Sequence, residues 1–244
     1  MTYCVATLLN EGIVFLADSR TNAGIDNIST FRKMTVFERK GDRVLVLMSA
    51  GNLAISQSVV SLLWADRATG DDDGPFIMDA ANLYEAAQCV GRAIRTVHKR
   101  DAAALQEHGI DFTASFILGG QIRGDRPRLF QLYSAGNFIE ATADTCYFQI
   151  GESKYGKPII DRMVRPETTL RDATKCTLIS MDSTIRSNLS VGLPLDLAIY
   201  PKDTLSLGQR RTIGADDEYF QMVRSRWGSA LRSAFEDLPE SPWG

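Results

Sequence analysis

The chain of 244 residues has little of the chemistry that metal-dependent and histidine-based enzymes use. It has two histidines, His98 and His108, which lie close together in one charged stretch, and four cysteines that are far apart with no C-x-x-C pair. This pattern predicts no zinc site and argues against a histidine-rich metal centre. Scattered cysteines are typical of reduced core thiols in a cytosolic protein. We expect no cofactor, no metal and, if the chain is an enzyme, a base other than histidine.

An excess of charge and long apolar runs are also lacking. Lys and Arg number 27 against 30 Asp and Glu, so the net charge of -3 gives no electrostatic footprint for nucleic acid or an anionic membrane. No apolar run approaches the ~20 residues that span a bilayer. The N-terminus lacks the basic region and cleavage site of a signal peptide. We expect a cytoplasmic protein that binds neither nucleic acid nor membrane.

What the sequence does contain is the composition of an ordinary globular protein, 44% hydrophobic and 23% charged. It shows no repeat and no long linker, and a chain of this length buries roughly three quarters of its unfolded surface. We expect residues 1–236 to form a single domain and residues 237–244 to be a flexible C-terminal tail.

Blocks of strand pattern and helix pattern follow one another along the chain. Strands are predicted at residues 2–9, 13–17, 34–38, 43–48, 113–119, 128–134, 138–141, 146–150, 196–200 and 204–207. Helices are predicted at residues 52–65, 78–106, 154–164, 170–188 and 216–235. The first strands are almost continuously apolar, which is typical of a sheet covered on both faces. The order predicts an α+β fold in which two sheets lie between helical layers, a four-layer αββα sandwich.

The first predicted hairpin brings polar residues to the beginning of the chain. If it turns at residues 10–11, paired residues have numbers that sum to about 21–22. Thr2 then lies beside Ser19 or Arg20 and one step from Asp18. Taken alone, an Asp-Ser-Arg segment is more often an ordinary turn.

The second predicted hairpin places a cation near a strand end. Its centre at residues 40–41 pairs Lys33 with Met48 or Ser49, close to Gly51. A strand that runs through a glycine into a helix N-terminus exposes backbone N–H groups, which is the geometry of an oxyanion site. A single lysine is more often a solvated head on an apolar stem.

Thr2 supplies the reactive groups on which the acid, the cation and the glycine amide could act. It follows Met1, and while Met1 is present the nitrogen of Thr2 is an amide. Removal of Met1 leaves an α-amine and a hydroxyl on the same residue, which together are a base and a nucleophile. A nearby Lys33 cation lowers the pKa of such an amine, and Asp18 would keep Lys33 charged and oriented. The ordinary alternative is that Thr2 is only the first strand residue.

At this point the chain resembles a known family, the N-terminal nucleophile (Ntn) hydrolases of the proteasome β-subunit type. The residues that carry the resemblance are Thr2 and the segments 16–21, 31–34 and 48–51. Segments 2–5, 18–24, 26–33 and 187–194 look like those of its bacterial branch, the ancestral β-subunits called Anbu. The resemblance covers most of the chain and implies the four-layer Ntn fold.

The resemblance implies a self-compartmentalising threonine peptidase or amidohydrolase. Thr2 would be the nucleophile and, through its amine, the base. Asp18 and Lys33 would tune the reactivity of Thr2. The backbone N–H of Gly51 would stabilise the oxyanion, an effect on the order of 3–4 kcal/mol per donor. We expect removal of Met1 by a methionine aminopeptidase to be the only activation step.

Supporting positions carry over with departures. Glu152 or Ser153 would fill the second supporting site, and the alignment favours Glu152. Ser190 matches a family serine, but Ser187 stands where the family has an aspartate, which weakens the expected proton shuttling. Residues that would line the substrate pocket are Arg20, Thr21, Ser49 and Leu53.

The resemblance also implies partners. These are other copies of the chain, in a ring or open spiral of about a dozen subunits, a peptide or protein substrate, and an unidentified ATPase or accessory factor. The helices at residues 52–65 and 78–97 are the candidate contact surfaces, and Trp243 is a candidate for docking on a neighbour.

Other functions stay open because a fold does not decide function. The chain could be an inactive scaffold or binding subunit, or an acylase or transpeptidase that acts on other amide bonds. A Ser153–Lys154 catalytic pair is unfavourable because adjacent helix residues do not face each other. Thr30-x-x-Lys33 lacks the K-T-G partner motif of penicillin-binding proteins.

Overall fold

The computed structural model describes residues 1–22, 28–65 and 76–243 of the chain. The strands are Tyr3–Leu9 (β1), Gly12–Asp18 (β2), Arg20–Asn22 (β3), Ile28–Thr30 (β4), Met34–Arg39 (β5), Arg43–Gly51 (β6), Ala114–Ile122 (β7), Arg128–Leu132 (β8), Phe138–Glu140 (β9), Tyr147–Gly151 (β10), Leu195–Pro201 (β11) and Gln209–Ile213 (β12). The α-helices are Leu53–Trp64 (α1), Leu83–Glu107 (α2), Lys157–Met163 (α3), Leu170–Ser187 (α4) and Glu218–Glu236 (α5), and a 3-10 turn covers Ile77–Asp79.

The strands form two antiparallel five-stranded sheets that pack face to face. One sheet has the order β10-β1-β2-β11-β12 and the other the order β5-β6-β7-β8-β9, while β3 and β4 form a separate ribbon. An apolar layer that includes Phe15, Met48 and Ile117 fills the space between the two sheets. Helices α1 and α2 cover the outer face of the second sheet, and α3, α4 and α5 cover the outer face of the first. The predicted αββα sandwich is confirmed.

Both predicted hairpin registers are confirmed. In the first hairpin Cys4 pairs with Ala17 and Leu9 with Gly12, so the residue numbers sum to 21. Continued outward, this register sets Tyr3 opposite Asp18 and then Thr2 opposite Ser19. In the second hairpin Met34 pairs with Met48, and the amide of Ser49 donates to the carbonyl of Lys33 at 3.0 Å. Short turns and buried apolar runs set these registers, since a slip of one residue would turn every buried side chain to the other face.

One predicted strand is wrong. Residues 204–207 form a loop, because Asp203 and Leu205 have φ values of 64° and 48° in the left-handed region. The outer neighbour of β11 is β12, which begins two residues after the predicted strand ends. Residues 209–212 of β12 are exposed at the sheet edge, so they lack the apolar alternation that identifies a strand in a sequence. The three-residue strands β3 and β4 were not predicted either.

The long second helix begins later than its apolar pattern suggests. Asn82 caps it by accepting the amide of Glu85 at 2.9 Å, and Met78 lies in the preceding 3-10 turn. Of the residues on its predicted apolar face, four are buried, namely Ala87, Val90, Ile94 and Val97. Tyr84, the fifth, is half exposed. Among the described residues, no helix is both long and apolar enough to cross a membrane.

Candidate active site

Thr2 lies at the start of β1, which is an interior strand flanked by β10 and β2. Only 9% of Thr2 is exposed, and its carbonyl accepts the amide of Glu152 at 2.7 Å. Gly151 makes this approach feasible: its φ is +82°, and a Cβ atom there would lie 1.9 Å from the Thr2 carbonyl oxygen. The position of Thr2 is therefore fixed from the β10 side.

Asp18 ends β2 and is completely buried. One carboxylate oxygen accepts the amide of Tyr3 at 2.9 Å, and the other accepts Lys33 Nζ at 2.8 Å. Burial raises the pKa of Asp18, while the Lys33 ammonium and the backbone of Tyr3 and Gly192 act against that rise. Asp18 thus joins the backbone of β1 to a buried cation.

Lys33 is also buried, with 7% of the residue exposed. Its ammonium donates to Asp18 and to the carbonyl of Arg20, at 2.8 and 2.5 Å. These two acceptors flank Ser19, the residue that the register places opposite Thr2. The ammonium therefore lies between the residues on either side of Ser19, with two of its three protons engaged.

Gly51 ends β6 with a φ of +110°. A Cβ atom at this position would lie 2.4 Å from the carbonyl oxygen of Thr113, the residue just before the neighbouring strand β7. Hydrogen bonds alternate in direction along an antiparallel strand. The amide of Ser49 points to Lys33. The amide of Gly51, two residues later, therefore points to the same side of β6, past the N-terminal end of β5. That amide is directed to the Lys33 end of the site.

Of the two candidates for the second supporting site, Glu152 has the contact with Thr2. Its carboxylate is buried and accepts Asn188 Nδ2 at 2.9 Å, with Lys154 Nζ 3.5 Å away. Ser153 is partly exposed, and its amide donates to Gly151. The backbone of Glu152, rather than that of Ser153, thus contacts Thr2.

The third supporting region is organised by a residue that the sequence analysis did not single out. Ser187 is exposed at the last position of α4. Asn188, which caps that helix, reaches Glu152 with its side-chain nitrogen and accepts the amide of Ser190 with its oxygen at 2.9 Å. The cap position at the end of a helix pattern was the available signal for Asn188.

Arg20 does not extend freely into a pocket. Its guanidinium donates to the carbonyl of Leu189 at 3.1 Å and lies over Gly192, where a Cβ atom would be 2.4 Å from Arg20 Cζ. Arg20 therefore ties the start of β3 to the loop after α4. Leu189 is the most exposed residue of that loop, with 88% of its surface accessible.

Two other predicted pocket residues, Ser49 and Leu53, are only partly accessible. Ser49 is half-buried, and its carbonyl accepts the thiol of Cys4 at 3.7 Å. Leu53 is the first residue of α1 and is also partly buried. The backbone of Thr21 belongs to β3, but its side chain lies outside what the structure describes.

A second buried network, which the sequence did not indicate, anchors β1. The Tyr3 hydroxyl is 2.7 Å from Ser180 Oγ and accepts a hydrogen bond from Gln149, while Ser180 donates to the carbonyl of Gly156 at 3.0 Å. Burial raises the pKa of Tyr3, so its hydroxyl stays protonated and can donate. The network joins β1 to the α3–α4 layer.

Together these residues provide the hydroxyl of Thr2, the buried Asp18–Lys33 pair and the backbone amide of Gly51, which is directed to the Lys33 end of the site. This set can support acyl transfer at an amide bond without histidine or metal chemistry. Within the described ranges, no group of three or more His, Cys, Asp or Glu side chains could hold a metal ion.

Comparisons with known proteins agree with this reading. No family model matches the chain. The curated proteasome subunit beta 2 of Nitrosopumilus maritimus is 24% identical over 209 residues, 84% of this chain and 89% of that protein. Solved structures of Anbu from Yersinia bercovieri and of an Anbu (Gly-1) mutant from Hyphomicrobium are 55% and 50% identical, cover 99% of both chains and have TM-scores of 0.90 and 0.91. A structure described as the helical assembly of the Anbu complex from Pseudomonas aeruginosa is 48% identical, with 98% coverage of both chains and a TM-score of 0.91.

Proposed function

The chain belongs to the Anbu family of proteasome β-type subunits, and on this premise we propose that it is a threonine-type hydrolase of peptide or amide bonds. Thr2 would be its nucleophile after removal of Met1. The observation that supports this most is the buried Asp18–Lys33 pair, at 2.8 Å, beside Thr2. A charge pair is costly to bury, and strongly perturbed groups concentrate at functional sites.

In the proposed reaction the Thr2 hydroxyl attacks the substrate carbonyl and passes its proton to the Thr2 α-amine. Lys33 lowers the pKa of that amine and so favours its neutral, proton-accepting form. The amide of Gly51 donates to the oxyanion of the tetrahedral intermediate. Collapse breaks the amide bond, and the α-amine returns the proton to the leaving nitrogen. Water then hydrolyses the Thr2 ester and restores the hydroxyl.

The test is covalent labelling followed by intact-mass measurement. An α′,β′-epoxyketone consumes both the hydroxyl and the α-amine of an N-terminal threonine, so it reports the two groups that the mechanism needs. We expect one adduct per chain on protein that lacks Met1, retained labelling in Thr2→Ser, and none in Thr2→Ala. Labelling of Thr2→Ala at another residue, or full hydrolase activity in protein that retains Met1, would disprove the role of Thr2.

A second candidate is an Ntn-fold scaffold with weak or no hydrolysis. The observation in its favour is Ser187, which is exposed and stands where the related enzymes have an aspartate. Processed protein that is not labelled and cleaves neither peptide nor acyl substrates would favour the scaffold. Cleavage of small acyl amides but not of peptides would favour an acylase or transpeptidase.

We further propose that the chain assembles with copies of itself and acts on peptide or protein substrates, aided by an ATPase or accessory factor. Support comes from the assembled Anbu complex of Pseudomonas aeruginosa. A cytoplasmic location and a single domain over residues 1–236 also stay proposals.

Large apolar side chains are exposed on the second half of α5 and just after it, namely Leu231, Phe235 and Leu238. The exposed part of α5 is therefore a stronger contact candidate than α1 or α2, whose apolar faces pack mainly inward.

A further inference from the structure

A cavity opens on the outer face of the first sheet. It lies between the start of α4, the strands β11 and β12, and the start of α5, and its volume is about 610 Å³. Pockets that bind ligands typically measure ~300–1,000 Å³. The described residues that line it include none of the proposed active site. Its floor is apolar and is formed by Leu178, Leu197, Ile199 and Ile213.

The rim of this cavity, which we call the α4–β12 groove, carries positive charge. Arg171 of α4 and Arg211 of β12 line it, and both are exposed. Arg211 lies at the limit of an ion pair, 4.0 Å from Asp217. Arg171 has no hydrogen-bond or ion-pair partner among the residues that the structure describes. The groove therefore suits an occupant that combines a large apolar side chain with carboxylates.

A segment with this chemistry follows α5. Residues 237–243 contain two charged side chains, Asp237 and Glu240, and both are acidic. The large apolar side chains of the segment, Leu238 and Trp243, are 67% and 91% exposed. Large apolar groups that are this exposed are typical of contact sites.

The segment is also restricted before it binds. Pro239 and Pro242 fix two φ angles, and the amide of Trp243 donates to the Ser241 hydroxyl at 3.2 Å. Such restriction reduces the conformational entropy that docking costs. Tryptophan is enriched among the residues that carry most of the binding energy of an interface. Trp243 is therefore the natural anchor of the segment.

The segment cannot reach the groove of its own chain. The groove lies beside Tyr219 at the start of α5, and the chain stays helical or turned until Leu238, whose amide donates to Phe235 at 3.2 Å. The axis of α5 from Tyr219 to Glu236 is about 26 Å long, whereas the five residues 239–243 span at most about 18 Å. An occupant with this sequence therefore comes from another copy of the chain.

We propose that the 237–243 segment of one copy docks in the α4–β12 groove of another, with Trp243 on the apolar floor and Glu240 facing Arg171. The inference deepens the self-association proposed above and rests on it. Because the two surfaces differ, the contact is heterologous and repeats from copy to copy as a ring or an open helix. The exposed Leu231 and Phe235 of α5 lead directly into the segment, so they belong to the same interface.

The first test measures binding of a fluorescein-labelled peptide of residues 235–243 by anisotropy. The receptor is the full chain with Trp243→Ser, so that its own segment does not compete. We expect saturable binding that weakens in high salt, and at least about tenfold weaker binding of the peptide with Trp243→Ser. No saturable binding, or equal binding of the two peptides, would overturn the inference.

A charge reversal tests the orientation. Arg171→Glu in the receptor should weaken binding of the peptide, and the peptide with Glu240→Lys should recover part of the loss. Arg162→Glu is the matched control, because it makes the same change at an exposed position of α3 outside the groove. Equal effects of the two receptor variants would show that general charge repulsion, and not the groove, decides the binding.

The second test asks whether the contact joins two copies. Ser241→Cys is mixed with Gln209→Cys, which lies on the groove, and oxidised gently; the four native cysteines are buried. We expect a disulfide between the two variants, and none when Gln209→Cys is replaced by Gln57→Cys, an exposed position of α1. Equal crosslinking of both mixtures, or none in an assembled sample, would refute the docking alone. Self-association fails separately, if the parent chain is monomeric by light scattering.

Discussion

At the scale of single residues, the site depends on groups that are costly to place. Asp18 and Lys33 are a carboxylate and an ammonium in a region where neither meets much water. Removal of one partner from a buried pair leaves an uncompensated charge, which typically costs about 3–5 kcal/mol, whereas removal of both can cost little. This asymmetry provides a direct test of the pair.

We expect Lys33→Met to lower the free energy of unfolding by about 3–5 kcal/mol at pH 7 and to abolish labelling of Thr2. The double variant Asp18→Asn/Lys33→Met should recover part of the stability but none of the labelling. Urea unfolding of both variants and the parent protein measures this. Additive losses in the double variant would contradict the model of a coupled pair.

The same variant has a defined pH dependence. Burial raises the pKa of Asp18, and Lys33 acts against that rise, so Lys33→Met raises it further. A folded-state pKa above the unfolded value favours the folded state below the unfolded pKa and loses that stability as the pH rises through the folded pKa. The stability deficit of Lys33→Met should therefore shrink on acidification. A deficit independent of pH would show that Asp18 is not its source.

Gly51 offers a second residue-scale test with a matched control. Gly51→Ala places a methyl group 2.4 Å from the Thr113 carbonyl, so the backbone must shift and carry the proposed oxyanion donor with it. We expect labelling to slow by about 10²–10³-fold. Gly124 also has a positive φ, +84°, but has open space around it. Gly124→Ala should cost about 1–2 kcal/mol of stability and leave labelling unchanged. Equal labelling rates in the two variants would contradict the role of Gly51.

At the scale of elements, charge pairs join neighbouring strands. Arg128 of β8 donates to both carboxylate oxygens of Glu140 in β9, at 2.8 and 2.7 Å. These hydrogen bonds hold the pKa of Glu140 below its ordinary value. Strand β9 is short and lies at the edge of its sheet, so this bidentate pair adds a side-chain link to its backbone pairing with β8.

A depressed pKa contributes stability above the unfolded pKa and loses it as the pH falls through the folded pKa. We therefore expect Glu140→Gln to be less stable than the parent by about 0.5–1 kcal/mol at pH 7, and the difference to vanish in acid. Urea unfolding at several pH values measures this. Glu107→Gln, at the exposed end of α2, is the matched control, because it removes a surface carboxylate and leaves the Arg128–Glu140 pair intact. A difference that persists in acid would point to packing instead of charge.

Elements with strong local signals were predictable, and elements without them were not. The hairpin that aligns Thr2 with Ser19 follows from a short turn between apolar runs, and so does the pairing near Lys33. In contrast, β12 presents polar residues at a sheet edge, and left-handed Asp203 and Leu205 cannot be recognised by composition. At the site, the sequence indicated Thr2, Asp18, Lys33 and Gly51. Asn188 and the Tyr3 network depend on contacts between distant elements, which one sequence does not specify.

At the scale of the whole molecule, the surface of α5 suggests how copies meet. Only Phe220 and Val223 of this helix are buried, while Leu231 and Phe235, one turn apart, are 52% and 76% exposed. Residues spaced by four lie on the same helix face. A monomer would gain nothing from an apolar stripe of this kind, whereas an interface would.

We expect Leu231→Glu/Phe235→Glu to reduce the assembled mass measured by light scattering, because two carboxylates would be buried without partners at the contact. Ser229→Glu/Ser233→Glu adds the same charge at the same spacing on exposed positions of the same helix and should leave the mass unchanged. An equal effect of the two pairs would argue for charge repulsion in place of a specific contact.

The site draws its parts from both halves of the sandwich: Thr2 and Asp18 belong to one sheet, and Gly51 to the other. The layer between the sheets is tightly filled, since a Cβ atom on Gly119 would lie 2.8 Å from the Phe15 ring. A small slide of one sheet over the other would therefore change the alignment of the proposed nucleophile and the proposed oxyanion donor without altering any residue of the site. If Thr2 reacts as proposed, we expect its labelling rate to respond to hydrostatic pressure, or to a methyl group added in that layer, before the fold itself is lost.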